Sequence, residues 1–491
     1  MLRQAYWSRG SLQQVPLLAA TVSSSFKPAS ILVPVDHFNS TDTRVYANRY
    51  LINADFYQRG GPVLVYDEGE QGMPDRFSPS HPAVALAERL GGLVVVWEHR
   101  FYGKSLPLAL DEKSTQLEQQ AAYQYLNTEQ ALEDVVFLAT HFEPPELEDV
   151  WIDLQPERAP WIWIGGSYAG QRAAMIRNRN PDIFRAAWSS SAPVETAIEF
   201  PEYFLKTSRE LPKACRQVIR DAVQHVDDTL LWGSMVKKSR LRWAIARRWP
   251  ADRPWISKVA FAILGLDFHV ASHLMGIVAR DWQVTGIDGR MTQTCKRIQS
   301  ADHNDIEGML GAVLDAIEAN NQYFGQPTYN RDQQAWSYQV CTEYPFFRTS
   351  ATDSQYNILS SFLTTDSIWR NTCARDYPWL TYPSDMSISL RYAGWERNMT
   401  NTMFTAGLND PWHGRSMLPA GGLVPGAPDR NATREIPARG QSPPHGQVFG
   451  LLFEHGWHCS DLVAGNAEAG EAVDLFEQAV RVWLPELART E

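Results

Sequence analysis

Residues 161–170 read Trp161-Ile-Trp-Ile-Gly-Gly-Ser-Tyr-Ala-Gly170. Four apolar residues of strand character run into a small-residue turn holding one serine, Ser167, and a helix-compatible segment follows. Strand, tight turn and helix in that order are what a nucleophile elbow requires. Glycine belongs there because the backbone is strained and a side chain would block the exposed Oγ or the neighbouring strand. Gly165 and Gly166 fit the Gly-x-Ser-x-Gly pattern, Ala169 replaces its second glycine, and Gly170 follows. An ordinary serine in a glycine turn gives the same pattern, so the surrounding sheet carries the reading.

Upstream, Pro62-Val-Leu-Val-Tyr66 and Leu93-Val-Val-Val-Trp97 are continuous apolar, β-branched runs separated by helical spacing from Ala83 to Leu90. Such runs predict a parallel sheet covered on both faces. Asn127-Thr-Glu-Gln130 opens a periodic stretch through Ala131, Leu132, Val135, Leu138 and Ala139, as a capping-box helix start does. Downstream, Phe184-Arg-Ala-Ala-Trp188, Asn401 to Thr405 and Val448 to Phe453 read as strands, and residues 418–446 as a long Pro- and Gly-rich surface loop. Val473, Phe476, Val480 and Trp483, spaced three and four apart, describe a core-facing helix. From Phe204 to Tyr382 the pattern changes to longer amphipathic stretches rich in charge and Trp.

The expectation is an α/β class chain with an α/β-hydrolase fold, its catalytic domain built from residues 30–203 and 383–491 and a largely helical cap inserted at 204–382. Residues 1–29 form an N-terminal segment. Arg3 and Arg9 precede a short apolar stretch, Val15 to Val22, interrupted by Pro16, which reads as a degraded signal region.

A serine hydroxyl needs a general base, and the base needs an acid to orient it. In this fold the chain order is Ser, then Asp or Glu, then His. Asp410 stands just past the strand that ends in Met403-Phe-Thr-Ala-Gly-Leu-Asn-Asp410, and Glu454-His-Gly-Trp-His458 follows the last strand. His413 is too near Asp410 to be a separate partner, and spacing leaves His455 and His458 equal.

Composition limits the alternatives. With 45 Lys and Arg against 56 Asp and Glu, the net charge of −11 gives no reason to expect nucleic-acid binding. The 18 Trp suit either an apolar pocket or a Trp-rich core. Cys215, Cys295, Cys341, Cys373 and Cys459 lack metal-ligand spacing. Two disulfides among the first four, with Cys459 left over, would fit an oxidising compartment. The sequons at Asn39, Asn398 and Asn431 point the same way. No apolar run approaches the length of a membrane span. Within the insertion, Lys237, Lys238, Arg240, Arg242, Arg247 and Arg248 surround Leu241, Trp243, Ile245 and Trp249, as a solvated helix face would, or a face drawn to peptide carboxylates or membrane.

Several ordered motifs add a resemblance: Asp36-His-Phe38, Gly61-Pro-Val-Leu-Val-Tyr66, Glu98-His-Arg-Phe-Tyr-Gly103, Gly165-Gly-Ser-Tyr-Ala-Gly170, Ser190-Ser-Ala-Pro193, Tyr338-Gln-Val-Cys-Thr-Glu343, Asp410-Pro-Trp412 and His458-Cys-Ser-Asp-Leu462. In these the chain resembles the serine peptidase family that includes lysosomal Pro-Xaa carboxypeptidase, dipeptidyl peptidase II and the fungal acid prolyl endopeptidases. The resemblance implies Ser167 as nucleophile, Asp410 as acid and His458 as base, leaving His455 in a loop.

An oxyanion on that serine would be met by the Tyr168 backbone N–H and by a second donor near Gly69 or Glu70, in the loop Tyr66-Asp-Glu-Gly-Glu-Gln-Gly72. That loop departs from the family's glycine-and-asparagine form. Glu70 matches an acidic position that would bind a substrate amine, or serves the loop itself. Trp412 is the resemblance's candidate for the wall of a proline pocket, and Gln171 stands where some relatives carry an apolar residue. The Glu98 to Gly103 stretch is expected to be structural. The implied substrates are proline-containing peptides or proteins, cleaved on the carboxyl side of proline through an acyl-enzyme, with no metal or organic cofactor. An esterase or lipase on the same triad, or a non-catalytic protein that kept the fold, are the rival readings.

Overall fold

The computed structural model describes residues 26–144, 147, 151–249, 253–277, 283, 291–302, 305–324, 330–381, 387–419, 424–485 and 487. The expected signal region, Val15 to Val22, lies outside them. In chain order, β1 (Lys27–Pro34), β2 (Val45–Asn53) and β3 (Val63–Asp67) lead to α1 (Pro82–Leu90) and β4 (Leu93–Trp97). Helices α2 (Gln116–Tyr123) and α3 (Thr128–Thr140) precede β5 (Trp161–Gly166), α4 (Tyr168–Arg179) and β6 (Phe184–Ser190). A helical stretch follows: α5 (Glu202–Glu210), α6 (Lys213–Trp232), α7 (Met235–Ala246), α8 (Trp255–Leu264), α9 (Asp267–Leu274), α10 (Thr292–Gln299) and α11 (Ile306–Phe324). Next come α12 (Arg331–Thr342), α13 (Thr365–Asn371), α14 (Cys373–Asp376) and α15 (Ser387–Arg391). The chain closes with β7 (Thr402–Gly407), β8 (Asn431–Thr433), β9 (Gln447–Phe453) and α16 (Ala467–Trp483).

The nine strands form one sheet in the order β1-β2-β4-β3-β5-β6-β7-β9-β8. Strand β2 is antiparallel to both β1 and β4, and every other neighbouring pair is parallel. The continuous apolar runs explain this: all five residues of β4 are buried, as are the first five of β5, which only a sheet covered on both faces can accommodate. On one face Phe476 meets Trp188 and Trp483 meets Phe449 at ring separations of 5.6 and 5.4 Å. A second cluster joins Ala174 of α4 to Phe404 and Val448. The arrangement is an α/β-hydrolase fold.

Helix α1 shows how locally these elements are specified. His81 accepts the Ala83 N–H as N-cap, Pro82 opens the first turn, and Gly91 at φ 60° closes the helix with its N–H on the Ala87 carbonyl. Asn127 caps α3 by accepting the Gln130 N–H.

Two compact units divide the described residues: those within 26–196, 330–344 and 387–487 in one, those within 197–324 and 345–381 in the other. This differs from the expected cap at 204–382 in one element. Helix α12 belongs to the sheet unit because the Asp332 carboxylate accepts the Gly72 and Gly103 N–H groups at 2.8 and 2.9 Å, and Arg331 donates to the Gly103 and Leu110 carbonyls. The loop expected at 418–446 also differs, since β8 within it pairs with β9. Cys215 is bonded to Cys295, Cys341 and Cys373 are likewise disulfide-bonded, and Cys459 is free. The asparagines of all three sequons are exposed.

Candidate active site

Parallel pairing brings the carboxyl ends of five strands to one edge. The register sets Asp67 of β3 opposite Gly165, Gly166 of β5 opposite Ser190, Ser190 opposite Thr405, and Gly407 of β7 opposite Phe453 of β9. The chain leaves β3 for β4 on one side while β5 lies on the other, so this edge is a topological switch point, where open α/β sheets hold their ligands. Ser167, Asp410 and His458 all follow strands that end here.

Ser167 sits at φ 57°, ψ −124°, a conformation costly for a residue with a Cβ. Its N–H donates to the Ser190 carbonyl at 2.8 Å, and its own carbonyl accepts the Gln171 N–H at 3.0 Å. The flanking glycines are required by space: a Cβ on Gly165 would stand 2.4 Å from the Ala169 carbonyl oxygen, and one on Gly166 2.8 Å from Cys459 Sγ. The second contact joins the residue before Ser167 to the residue after His458.

His458 Nδ1 lies 2.8 Å from Asp410 Oδ2, with both side chains buried. The other Asp410 oxygen accepts the Trp412 N–H at 2.9 Å, which fixes the carboxylate's orientation. Burial pushes the His458 imidazole down, but the charge of Asp410 and its hydrogen bond outweigh it and hold the group well above 6.5. His458 Nε2 is buried and makes no hydrogen bond, so one ring nitrogen is committed and the other is open. His455, which spacing could not distinguish, is exposed, and His413 is buried on the turn after Asp410.

The Tyr168 side chain is anchored by a buried chain of donors. Tyr102 O–H donates to Gln339 Oε1 (2.5 Å), Gln339 Nε2 donates to the Tyr168 oxygen (2.8 Å), and Tyr168 O–H donates to His99 Nε2 (3.0 Å). His99 Nδ1 then donates to the Arg100 carbonyl (2.6 Å). Burial keeps His99 neutral, which this order requires. Sequence reading quoted the segments carrying His99, Tyr102 and Gln339 but gave them no part in the site; only their three-dimensional meeting shows the connection.

The loop after β3 approaches the same elbow. Gly69, at φ 65°, has Ala169 Cβ 3.2 Å from where its own Cβ would be, and its N–H already donates to Asp67. Of the two positions expected for a second oxyanion donor, Glu70 is the one not so committed, and it is partly exposed. Trp412 is buried with its ring centroid 6.3 Å from that of His458. Gln171 is fully buried, with Nε2 3.5 Å from the Val194 carbonyl, so it offers no surface to a ligand. The Glu98 carboxylate accepts from Met73 N, Lys104 N and Ser105 Oγ, and Arg100 pairs with Asp134, all structural bonds. Asp461 accepts from Ser190, Thr405 and Trp188, tying the loop after β9 to β6 and β7. Among the described residues no group of His, Cys, Asp and Glu is placed to hold a metal ion.

A family model described as serine carboxypeptidase S28 matches residues 33–253 and 268–422. The chain is similar to a probable extracellular serine carboxypeptidase of Arthroderma benhamiae, 26% identical over 80% of this chain, of whose length it spans 59%. It is also similar to human thymus-specific serine protease, 28% identical over 79% of this chain and 76% of the relative. Human lysosomal Pro-X carboxypeptidase is 26% identical over 84% of this chain and 83% of its own length.

Proposed function

The chain belongs to the serine carboxypeptidase S28 family, and from that premise we propose that it hydrolyses peptide bonds on the carboxyl side of proline, with Ser167 as nucleophile, His458 as general base and Asp410 as the acid that orients it. The observation that carries the reading is the buried His458–Asp410 bond, with the second imidazole nitrogen uncommitted, in the loop held against the strained serine turn.

In the proposed sequence His458 Nε2 takes the Ser167 hydroxyl proton as Oγ attacks the carbonyl carbon of proline. The developing oxyanion is met by the Tyr168 N–H and a donor near Glu70. The same imidazole hands its proton to the leaving amine, and water, deprotonated in turn, releases the proline-ended product from the acyl-enzyme. Trp412 supplies a flat apolar wall beside His458, a surface suited to a pyrrolidine ring, and the similarity to lysosomal Pro-X carboxypeptidase supports that preference. The disulfides, the three exposed sequons and the extracellular and lysosomal relatives support secretion or a vacuolar or lysosomal location.

The test is mass spectrometry of products from one proline-containing peptide, free and with each terminus blocked, alongside fluorophosphonate labelling. Cleavage after proline, with labelling abolished by Ser167→Ala, is expected. Blocking whichever end the enzyme must recognise will separate carboxypeptidase, dipeptidyl and endo modes. Ester hydrolysis without cleavage of any peptide would overturn the peptidase reading, and labelling that survives Ser167→Ala would overturn the nucleophile.

A further inference from the structure

Eighteen large apolar side chains among the described residues are exposed, and ten of them fall in one short stretch, Leu231 to Leu266. Trp232, Trp255 and Leu264 are 82%, 73% and 77% exposed, accompanied by Met235, Val236, Ile256, Ile263 and Leu266. These residues lie at the end of α6, on α7, on α8 and, for Leu266, at the N-cap of α9. Helices α7 and α8 pack on one another: Arg242 reaches the Ile263 carbonyl and Asp267, while the Trp249 and Phe261 rings meet at a tilt with centroids 4.8 Å apart and the Trp249 carbonyl accepts from Lys258 Nζ. The hairpin buries Leu241, Ile245, Phe261 and Ala262 and still leaves this apolar set in water. A monomer seldom tolerates so much without a partner.

Charge identifies the partner. Residues 231–266 carry eight Lys and Arg against a single acidic residue, in a chain whose net charge is −11. Lys237, Arg240 and Arg247 are exposed beside the apolar residues. Exposed Trp, Leu and Ile with flanking Lys and Arg form the surface of an element that lies in a bilayer interface: apolar groups enter the headgroup boundary and cations meet anionic lipid. Among the described residues no single helix is long and apolar enough to cross a membrane, and α8 passes that test only together with the segment Asp267–Ile277, from which it is bent by 109°. The family match breaks off at residue 253 and resumes at 268, so α8, which carries four of these exposed side chains, lies outside it.

We propose that the α7–α8 hairpin docks this protein reversibly on a membrane surface bearing anionic lipid headgroups.

The test is co-sedimentation of the full chain with vesicles of phosphatidylcholine alone and of an equimolar phosphatidylcholine–phosphatidylserine mixture, at low and high salt. Binding to the mixed vesicles that weakens with salt is expected. Lys237→Gln/Lys238→Gln/Arg240→Gln should weaken it by about a hundredfold, and Trp255→Ser/Leu264→Ser should abolish it. Peptidase activity in solution should be unchanged in both variants. No binding by the wild type, or equal binding by wild type and both variants, would overturn the proposal. So would a wild-type dimer that Trp255→Ser/Leu264→Ser converts to monomer without any vesicle binding, since the face would then belong to a second copy.

Discussion

Gly166 and Cys459 touch so closely that a Cβ on the glycine would lie 2.8 Å from the Cys459 Sγ. One residue precedes the proposed nucleophile and the other follows the proposed base, so this contact sets how closely the elbow and the His458 loop approach. Gly166→Ala is expected to lower kcat/KM by about a hundredfold, the cost of displacing reacting groups by about an ångström. Adding Cys459→Ala should restore part of the loss. Steady-state kinetics on both single variants and the double variant measure it, and an equal loss with and without Cys459 would show that the contact does not couple the two loops.

Asp410 holds His458 through one oxygen and the Trp412 N–H through the other. Asp410→Asn keeps the shape but favours the wrong imidazole tautomer, and a loss in kcat of about four orders of magnitude is expected, as in other Ser-His-Asp enzymes. The pH profile carries a second signature. Since the carboxylate raises the His458 pKa against the downward effect of burial, the acid limb of kcat/KM set by His458 is expected to be raised with it. It should move toward lower pH in the variant. An unmoved limb would mean that another group controls it.

Gln339 bridges Tyr102 and Tyr168 in the buried donor chain. Gln339→Leu removes the acceptor of the Tyr102 hydroxyl and one of the two hydrogen bonds on the Tyr168 oxygen, loosening the side chain of the residue whose N–H is proposed to meet the oxyanion. The expected result is a fall in kcat of roughly tenfold or more with KM little changed, since one oxyanion donor contributes about two to three decades when lost outright. Tyr168→Phe, which keeps the ring contacts with Trp336 and Tyr344, should lose less. A change in KM alone would assign Gln339 to substrate binding.

The central parallel strands were legible because burial on both faces leaves continuous apolar runs, which the short exposed β8 lacks, and Ser167 because strand, glycines and serine occur in order. Strands β1 and β2 were not. β1 is a largely exposed edge, and β2 carries Asn48, a fully buried amide that donates to the Glu98 carbonyl and accepts from Tyr46. A polar residue bonded in this way leaves no period in the sequence. Helix α12 went to the wrong unit for a similar reason: its amphipathic pattern matches its neighbours, and what fixes it is Asp332 gripping two loop N–H groups. Spacing leaves His455 and His458 equal, and the proposal of His458 as base is supported by its 2.8 Å contact with Asp410, while His455 is exposed. Gln171 follows the elbow in the chain, and that position does not convey that its side chain is buried near the Val194 carbonyl.

The two carboxyls at the end of β3 make stability depend on pH. Burial is the main cause of both shifts: it raises Asp67 to about 6 against the attraction of Arg172, and raises Glu68 to about 7 against the hydrogen bond from Gln71. In an unfolded chain the same groups titrate near 3.8 and 4.5. Between those values and the folded ones the native state holds protons that the unfolded state has released. The stabilisation is therefore complete below about pH 4 and is lost as pH rises through 6 and 7. A shift from 4.5 to about 7 corresponds to about 3 kcal/mol. The melting temperature should be higher at pH 5 than at pH 7.5. Glu68→Gln, which stays neutral and can still accept from Gln71, should flatten that dependence by raising stability at pH 7.5. A Glu68→Gln protein whose pH profile matches the wild type would show that Glu68 is ionised in the fold at neutral pH.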